Sequence, residues 1–199
     1  MRVAAIVLAA GEGRRIGGPK ALLPLRDGTF LEATATIFAR ADVAALIVVL
    51  GAEAGRIAAT ARLPLATTVV VNDRHAEGML TSVWAGLDAA EATGADAVLL
   101  HPVDNPVVSE ATVTAVLQGM ARGAIIAIPS NAGRRGHPAG FARHAWPALR
   151  AAPLDGGART VLAARPEWIV HVPAGADCLV DIDTPEALQA LRRKRDAAG

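Results

Sequence analysis

Residues Leu8 to Pro24, LAAGEGRRIGGPKALLP, combine two things that phosphate chemistry needs. Gly11, Gly13, Gly17 and Gly18 permit left-handed backbone angles and let the main chain come close to a ligand. Arg14, Arg15 and Lys20 bring three cations to the same loop. Two familiar phosphate loops do not describe it. A dinucleotide loop reads GxGxxG and runs straight into a helix, whereas Gly17 is the next glycine after Gly13 here, and Pro19 stands where that helix would continue. A Walker A loop reads GxxxxGK[ST]. Gly13 and Gly18 have that spacing, but Pro19 separates Gly18 from Lys20, and Ala21 replaces the hydroxyl that would hold magnesium.

Acidic residues suited to a metal follow later in the chain. Asp104 comes just after the apolar run Ala97–Leu100, at what would be the carboxyl end of a strand, where open α/β sheets place ligands. Magnesium takes one or two carboxylates and completes its shell with water and phosphate oxygens, so a carboxylate beside a phosphate loop is a natural ligand. Asp181 and Asp183 precede the last helix-like stretch, and alternation puts both on one side of an extended segment. His137, with Arg134 and Arg135, lies in the segment SNAGRRGHPAGFARHAWP, and Arg159 follows Gly156 and Gly157. These cations suit an anionic second substrate. His75, His101, His144 and His171 have no metal-ligand spacing and read as polar or packing residues, as does Cys178.

Such residues need a scaffold, and the apolar pattern supplies one. Short continuous runs recur at Val3–Ala9, Ala44–Leu50, Thr67–Val71, Ala97–Leu100, Ala124–Ile128 and Ile169–Val172. Each is bounded by turn-forming residues, as strands covered on both faces are. Helix-like stretches fall at Leu31–Ala41, Glu53–Ala61, Met79–Ala92 and Glu110–Ala121, with a last one from Pro185. In the third of these Met79, Val83 and Leu87 have the spacing of a core stripe. Ser109 is a candidate N-cap, and Thr184-Pro185-Glu186 gives a cap, a first-turn proline and a first-turn acid. The alternation predicts a three-layer α/β/α sandwich with a Rossmann-like, mostly parallel sheet. Residues 130–153 break the pattern and are expected to form an inserted loop or hairpin over the site. Ala197–Gly199 are expected to fray.

Composition removes other classes. A chain of 199 residues with 52% hydrophobic and 20% charged residues has a core and suits one domain, 1–199. A net charge of +1, no basic block longer than Arg192–Arg195, and few aromatics argue against a nucleic-acid partner. No apolar run approaches the ~20 residues of a membrane span. A lone Cys178 cannot form an internal disulfide, so a cytoplasmic protein is expected. Lys20 and Lys194 are the only lysines among 20 basic residues.

The glycine loop resembles the LAAGxGxR(M/L)GxPKxLLP signature of the MobA-like NTP transferase family, in its molybdenum cofactor cytidylyltransferase branch. The likeness extends through VVVNDRHAEGMLTSVWAGL (Val69 to Leu87), VDNP (Val103 to Pro106), GRRGHP (Gly133 to Pro138), DGGAR (Asp155 to Arg159) and DIDTPEAL (Asp181 to Leu188), in family order. Asn105, Ile16, Leu154 and Ala187 depart from the family pattern. The resemblance implies a nucleotide-diphospho-sugar transferase type of fold. It implies a nucleotide held by Leu8, Ala9, Ala10, Gly11, Gly13 and Lys20, with Asn72, Gly78 and Ser82 at the base and ribose. It also implies Mg2+ on Asp104 and Asp183, with Asp181 left open, and an acceptor side formed by Arg135, His137 and Arg159. The reaction expected is magnesium-dependent transfer of CMP from CTP to a phosphorylated, molybdopterin-like acceptor, releasing pyrophosphate. Arg15, Lys20 and Asp104 would carry it, and a molybdoenzyme would be the client. Two alternatives use the same fold: a cofactor-binding or insertion module, and an NADH-dependent reductase of the nicotine blue oxidoreductase type.

Overall fold

The computed structural model describes residues 1–25 and 28–196. In chain order the strands are β1 (Val3–Ala9), β2 (Pro24–Leu25), β3 (Gly28–Thr29), β4 (Ala45–Leu50), β5 (Thr67–Val71), β6 (Ala97–Pro102), β7 (Ile126–Asn131), β8 (Arg134–Arg135), β9 (Ala139–Ala142) and β10 (Ile169–Pro173). The helices are α1 (Phe30–Arg40), α2 (Ala54–Thr60), α3 (Met79–Ala92), α4 (Glu110–Ala121), α5 (Trp146–Ala151), α6 (Gly157–Ala164) and α7 (Pro185–Asp196). All six expected strands form, and the expected helices begin within a residue of their predicted starts. The expected fraying of Ala197–Gly199 lies outside the described residues. No helix among the described residues is long and apolar enough to cross a membrane.

The main sheet runs β10-β7-β9-β6-β1-β4-β5, with β8 paired to β7. Its strands are parallel except β9, which is antiparallel to both neighbours, and the hairpin strand β8. Continuous apolar runs make three layers because successive side chains point to opposite faces. Ala5 and Val7 of β1 and Val48 and Leu50 of β4 share one core with Phe30, Leu31 and Phe38 of α1, Ile57 of α2 and Val116 of α4. Ala4 and Ile6 of β1 and Ile47 and Val49 of β4 share the other with Leu80, Val83 and Leu87 of α3 and Trp146 and Leu149 of α5. Phe30 and Phe38 are fully buried, each contributing about 1.5–3 kcal/mol by leaving water. β5 departs from the expectation of two covered faces, since it closes the sheet and leaves Val69 and Val71 exposed.

Local signals fix the ends of several elements. Ser109 Oγ accepts from Thr112 N at 3.1 Å, as expected of the α4 cap, and Thr184 Oγ1 accepts from Ala187 N at the start of α7. A capping box starts α1: Thr29 Oγ1 accepts from Glu32 N, and Glu32 Oε2 accepts from Thr29 N at 2.7 Å. The other oxygen of Glu32 accepts from Arg62 N, tying α1 to the segment after α2.

Residues 130–153 are where the structure departs most from expectation. They open as a hairpin, β7 to β8 through Ala132 and Gly133, both at positive φ. They then enter the sheet itself, because β9 lies between β6 and β7, and continue into α5. Glycine at position 140 leaves room for α4 against this central strand. A Cβ there would stand 2.7 Å from Met120 Sδ and 3.1 Å from Val116 Cγ1, so α4 lies directly on the bare backbone. Gly140→Val is expected to cost about 1–3 kcal/mol through overpacking, read as a lower urea midpoint; an unchanged midpoint would mean that α4 is not seated there.

Candidate active site

A cleft of about 1280 Å³ opens at the carboxyl ends of β1 and β6. The chain passes from β1 to β4 and β5 on one side and returns to β6 on the other, so this is the switch point of the sheet. The loop after β1 lines it with Leu8, Ala10, Gly11, Gly13, Arg15 and Lys20. The loop closes on itself through Gly13 O, which accepts from Ile16 N and Gly18 N. Gly13 has φ 64°, and a Cβ on it would fall 1.8 Å from Gly18 O, so no other residue fits the turn. Ala9 does not reach the cleft: it is 2% exposed and belongs to the core on the α1 face.

Lys20 is the centre of the acidic side. Its Nζ donates to Asp104 Oδ2 at 2.8 Å and to Asp183 Oδ1. Burial pushes its pKa down, but the hydrogen bonds and charges of the two carboxylates outweigh this, and the net is a raised value. The Asp183 carboxyl is held below its ordinary value, chiefly by the bond from Lys20. Asp181 also lines the cleft but is raised, by burial first and then by the negative charges of Asp104 and Asp183. Ile182 between them points into the core, and its N–H donates to Asp104 O at 2.9 Å, fastening the two acidic segments together. Among the described residues no three His, Cys, Asp or Glu side chains form a metal cage. Two carboxylates already converging on one cation nevertheless fit magnesium, which needs no more protein ligands than that.

Opposite lie Arg134 and Arg135 of β8, His137, and Arg159 in the first turn of α6, all lining the cleft. Arg135 Nε donates to His171 Nε2 at 3.0 Å. Burial holds His137 below the ordinary imidazole range, against the pull of Asp104 and with Arg159 adding to the depression. His101, fully buried beneath it, is lowered to about 3 by burial and then by His137. Both rings are therefore neutral at pH 7. His101 packs edge-on against Phe38, and its Nε2 bonds Asn105 O at 2.8 Å, in keeping with a packing role.

Gly78 and Ser82, at the start of α3, line the cleft, but Asn72 does not. Asn72 is buried behind them, where its Nδ2 donates to Thr81 Oγ1 at 2.8 Å and Ser82 Oγ at 2.9 Å. Its amide holds the serine hydroxyl from behind. Met79, expected in the core with Val83 and Leu87, is 64% exposed and lines the cleft. Val83 and Leu87 are buried as expected. The helical period misplaces Met79 because α3 begins there, before the helix has settled onto the sheet.

Residues 5–169 match the family model of the MobA-like NTP transferase domain. The chain belongs to this family. It is 35% identical over 199 residues to the nicotine blue oxidoreductase of Paenarthrobacter nicotinovorans, across 95% of this chain and 96% of that protein. A molybdenum cofactor guanylyltransferase of Cereibacter sphaeroides is 39% identical over 109 residues, 54% of this chain and 53% of that enzyme. The crystal structure of a Mycobacterium tuberculosis Rv0371c homologue from Mycobacterium sp. strain JC1 superposes with a TM-score of 0.87 at 29% identity, over all of both chains. Rv0371c of Mycobacterium tuberculosis H37Rv in complex with manganese gives 0.73 at 28% identity, over 96% of this chain and 98% of that one.

In this MobA-like site one further acid braces the loops. Asp177 Oδ2 accepts from Ser109 N at 2.8 Å and Thr112 Oγ1 at 2.7 Å, holding the turn Ala176–Leu179 on the start of α4. From that turn, Cys178 O accepts from His137 N and from Asn105 Nδ2, linking the His137 segment to the Asp104 loop. Burial raises the Asp177 carboxyl, but these hydrogen bonds prevail and leave it below its ordinary value. A depressed carboxylate stabilises the fold above its unfolded pKa, and the gain is lost as pH falls through the folded value. Asp177→Ala is expected to cost about 1–3 kcal/mol at pH 7 and less in acid. Urea titrations at pH 7 and pH 3 check this; a gap unchanged at pH 3 would assign the loss to packing.

Proposed function

We propose that this protein transfers a nucleotidyl group, CMP from CTP, to the terminal phosphate of a molybdopterin-like acceptor, using magnesium and releasing pyrophosphate. Residues 1–199 act in this reading as one catalytic unit, with residues 130–153 on the acceptor side, and the product passes to a molybdoenzyme client. One observation carries it: the Lys20 ammonium and the carboxylates of Asp104 and Asp183 meet beside the glycine loop, at the ligand edge of the sheet.

The chemistry asks for little proton transfer. A phosphate monoester with a second pKa of ~6 is largely dianionic at neutral pH and attacks without a general base. That suits a cleft in which burial keeps the His137 ring neutral. An acceptor oxygen bonds to the α-phosphorus while the bond to the bridging oxygen breaks, and its electron pair leaves with pyrophosphate. Catalysis then rests on alignment and on stabilising the charge that moves. The backbone from Ala10 to Gly13 approaches the phosphates, and Arg15 and Lys20 take up the charge of the leaving group. Asp104 and Asp183 would hold magnesium, which when bound neutralises phosphate oxygens. Arg135 and Arg159 hold the acceptor's anionic group, with His137 offering a neutral hydrogen bond. Gly78 and Ser82 bound the nucleoside.

The LAAG and Pro-Lys residues support cytidine, and the manganese complex of the mycobacterial relative supports a divalent ion. The Cereibacter sphaeroides relative makes GTP the competing donor. A second reading has its own support: the likeness to nicotine blue oxidoreductase runs through nearly the whole chain, which favours an NADH-dependent reductase. Against it stands the first loop, which lacks GxGxxG and carries Pro19.

Pyrophosphate release should appear with CTP, magnesium and a molybdopterin acceptor, and fall by at least about 100-fold in Asp104→Asn, the scale of losing several kcal/mol of charge stabilisation. Release with GTP alone would correct the base; NADH oxidation without any pyrophosphate release would transfer the assignment to the reductase. Lys20→Arg should lose at least about tenfold, ~1.4 kcal/mol, since a planar guanidinium cannot give the leaving pyrophosphate the compact point charge of an ammonium. A wild-type rate in that variant would show that the lysine is incidental.

A further inference from the structure

The cation that joins Asp104 to Asp183 is supplied by the chain itself. Lys20 Nζ occupies the point on which both carboxylates converge, 2.8 Å from Asp104 Oδ2 and bonded also to Asp183 Oδ1. Its side chain is only 17% exposed, although it projects into an open cleft. Its backbone is pinned, because Lys20 starts the single turn Lys20–Leu22, Leu23 N donates to Lys20 O at 3.0 Å, and Ala21 is buried. The ammonium thus has a short range of motion, and within it lie only two kinds of anion: these carboxylates, and whatever phosphate enters the glycine loop.

We propose that Lys20 is the resident cation of the Asp104–Asp183 site, so that a divalent ion enters only together with a nucleotide, whose phosphates draw the ammonium away. This rests on the transferase reading and adds to it an order of binding. The charges require it. One ammonium between two carboxylates is close to balanced, whereas an ammonium and a divalent ion there together would repel each other at contact distance. A bare ion must break two charge-assisted hydrogen bonds to enter, and these are the strong ones. A triphosphate supplies new acceptors for the ammonium and further oxygens for the ion, so the exchange costs little once the nucleotide is present.

Titration calorimetry with Mn2+ alone, on the full chain without nucleotide, tests the exchange. Lys20→Met should bind Mn2+ at least about tenfold more tightly than the wild type, the advantage of removing a doubly bonded competitor. Adding Asp104→Asn to that variant should abolish the gain. Lys20→Gln serves if Lys20→Met does not fold, and Mn2+ should then raise the melting temperature of the variant more than that of the wild type. Equal Mn2+ affinity in wild type and lysine variants overturns the proposal. Equilibrium dialysis of labelled CTP and GTP against the wild type, with and without Mn2+, separates the two failures. Metal-dependent retention with equal Mn2+ affinities would sink the exchange and leave the transferase standing. No metal-dependent retention of either nucleotide would sink both.

Discussion

Two carboxylates held within reach of one atom repel each other by on the order of 3 kcal/mol, at a separation of ~5 Å and an effective dielectric of ~20. Asp104 and Asp183 are held in that way, and the fold tolerates them because Lys20 stands between them. The lysine is 84 residues from one acid and 163 from the other, so the cluster forms only when the first strand, the sixth and the last segment share one edge of the sheet. The glycine turn at Gly13, the Ile182 hydrogen bond to Asp104 and the Asp177 brace are the means by which three distant pieces of chain arrive with little slack.

Much of this was legible in the residues. β1, β4 and the Ala97–Leu100 part of β6 are uninterrupted Val, Ile, Leu and Ala runs, because a strand covered by helices on both faces has no solvent side to mark with polar residues. The glycine loop and Asp104 follow from those runs, since each comes just after a strand's carboxyl end, while Asp181 and Asp183 are marked by their place before the last helix. β9 was not legible. Four residues, Ala-Gly-Phe-Ala, are too few for a period, and its glycine answers to the close approach of α4, a contact between distant parts of the chain. The place of Asn72 was not legible for a related reason: sequence sets it near Ser82 but does not reveal that the amide lies behind the hydroxyl it bonds. The α1 capping box was there to be read in Thr29 and Glu32, and was not.

Membership of the MobA-like family fixes the architecture more firmly than the chemistry, because one scaffold carries many sites. A relative named as an oxidoreductase matches along almost the whole chain, and one named as a guanylyltransferase matches over about half of it. In this chain a turn bars a continuous helix after β1, and an ammonium stands with two carboxylates at the edge of the cleft.

β9 runs against its neighbours, pairing Ala139 with Leu100 and Ala142 with Ala97. Its first residue therefore lies at the same edge as the last residues of β6, and the turn leading into it delivers His137 there without a helical crossover. The two halves of the cleft are thus built by different rules. The Lys20 side hangs on parallel crossovers whose lengths are tied to the helices, while the His137 side is a hairpin followed by a returning strand. Such a hairpin can lengthen, shorten or change its charges without shifting any strand on the Lys20 side. One wall of the cleft is thus free to vary while the other keeps its geometry.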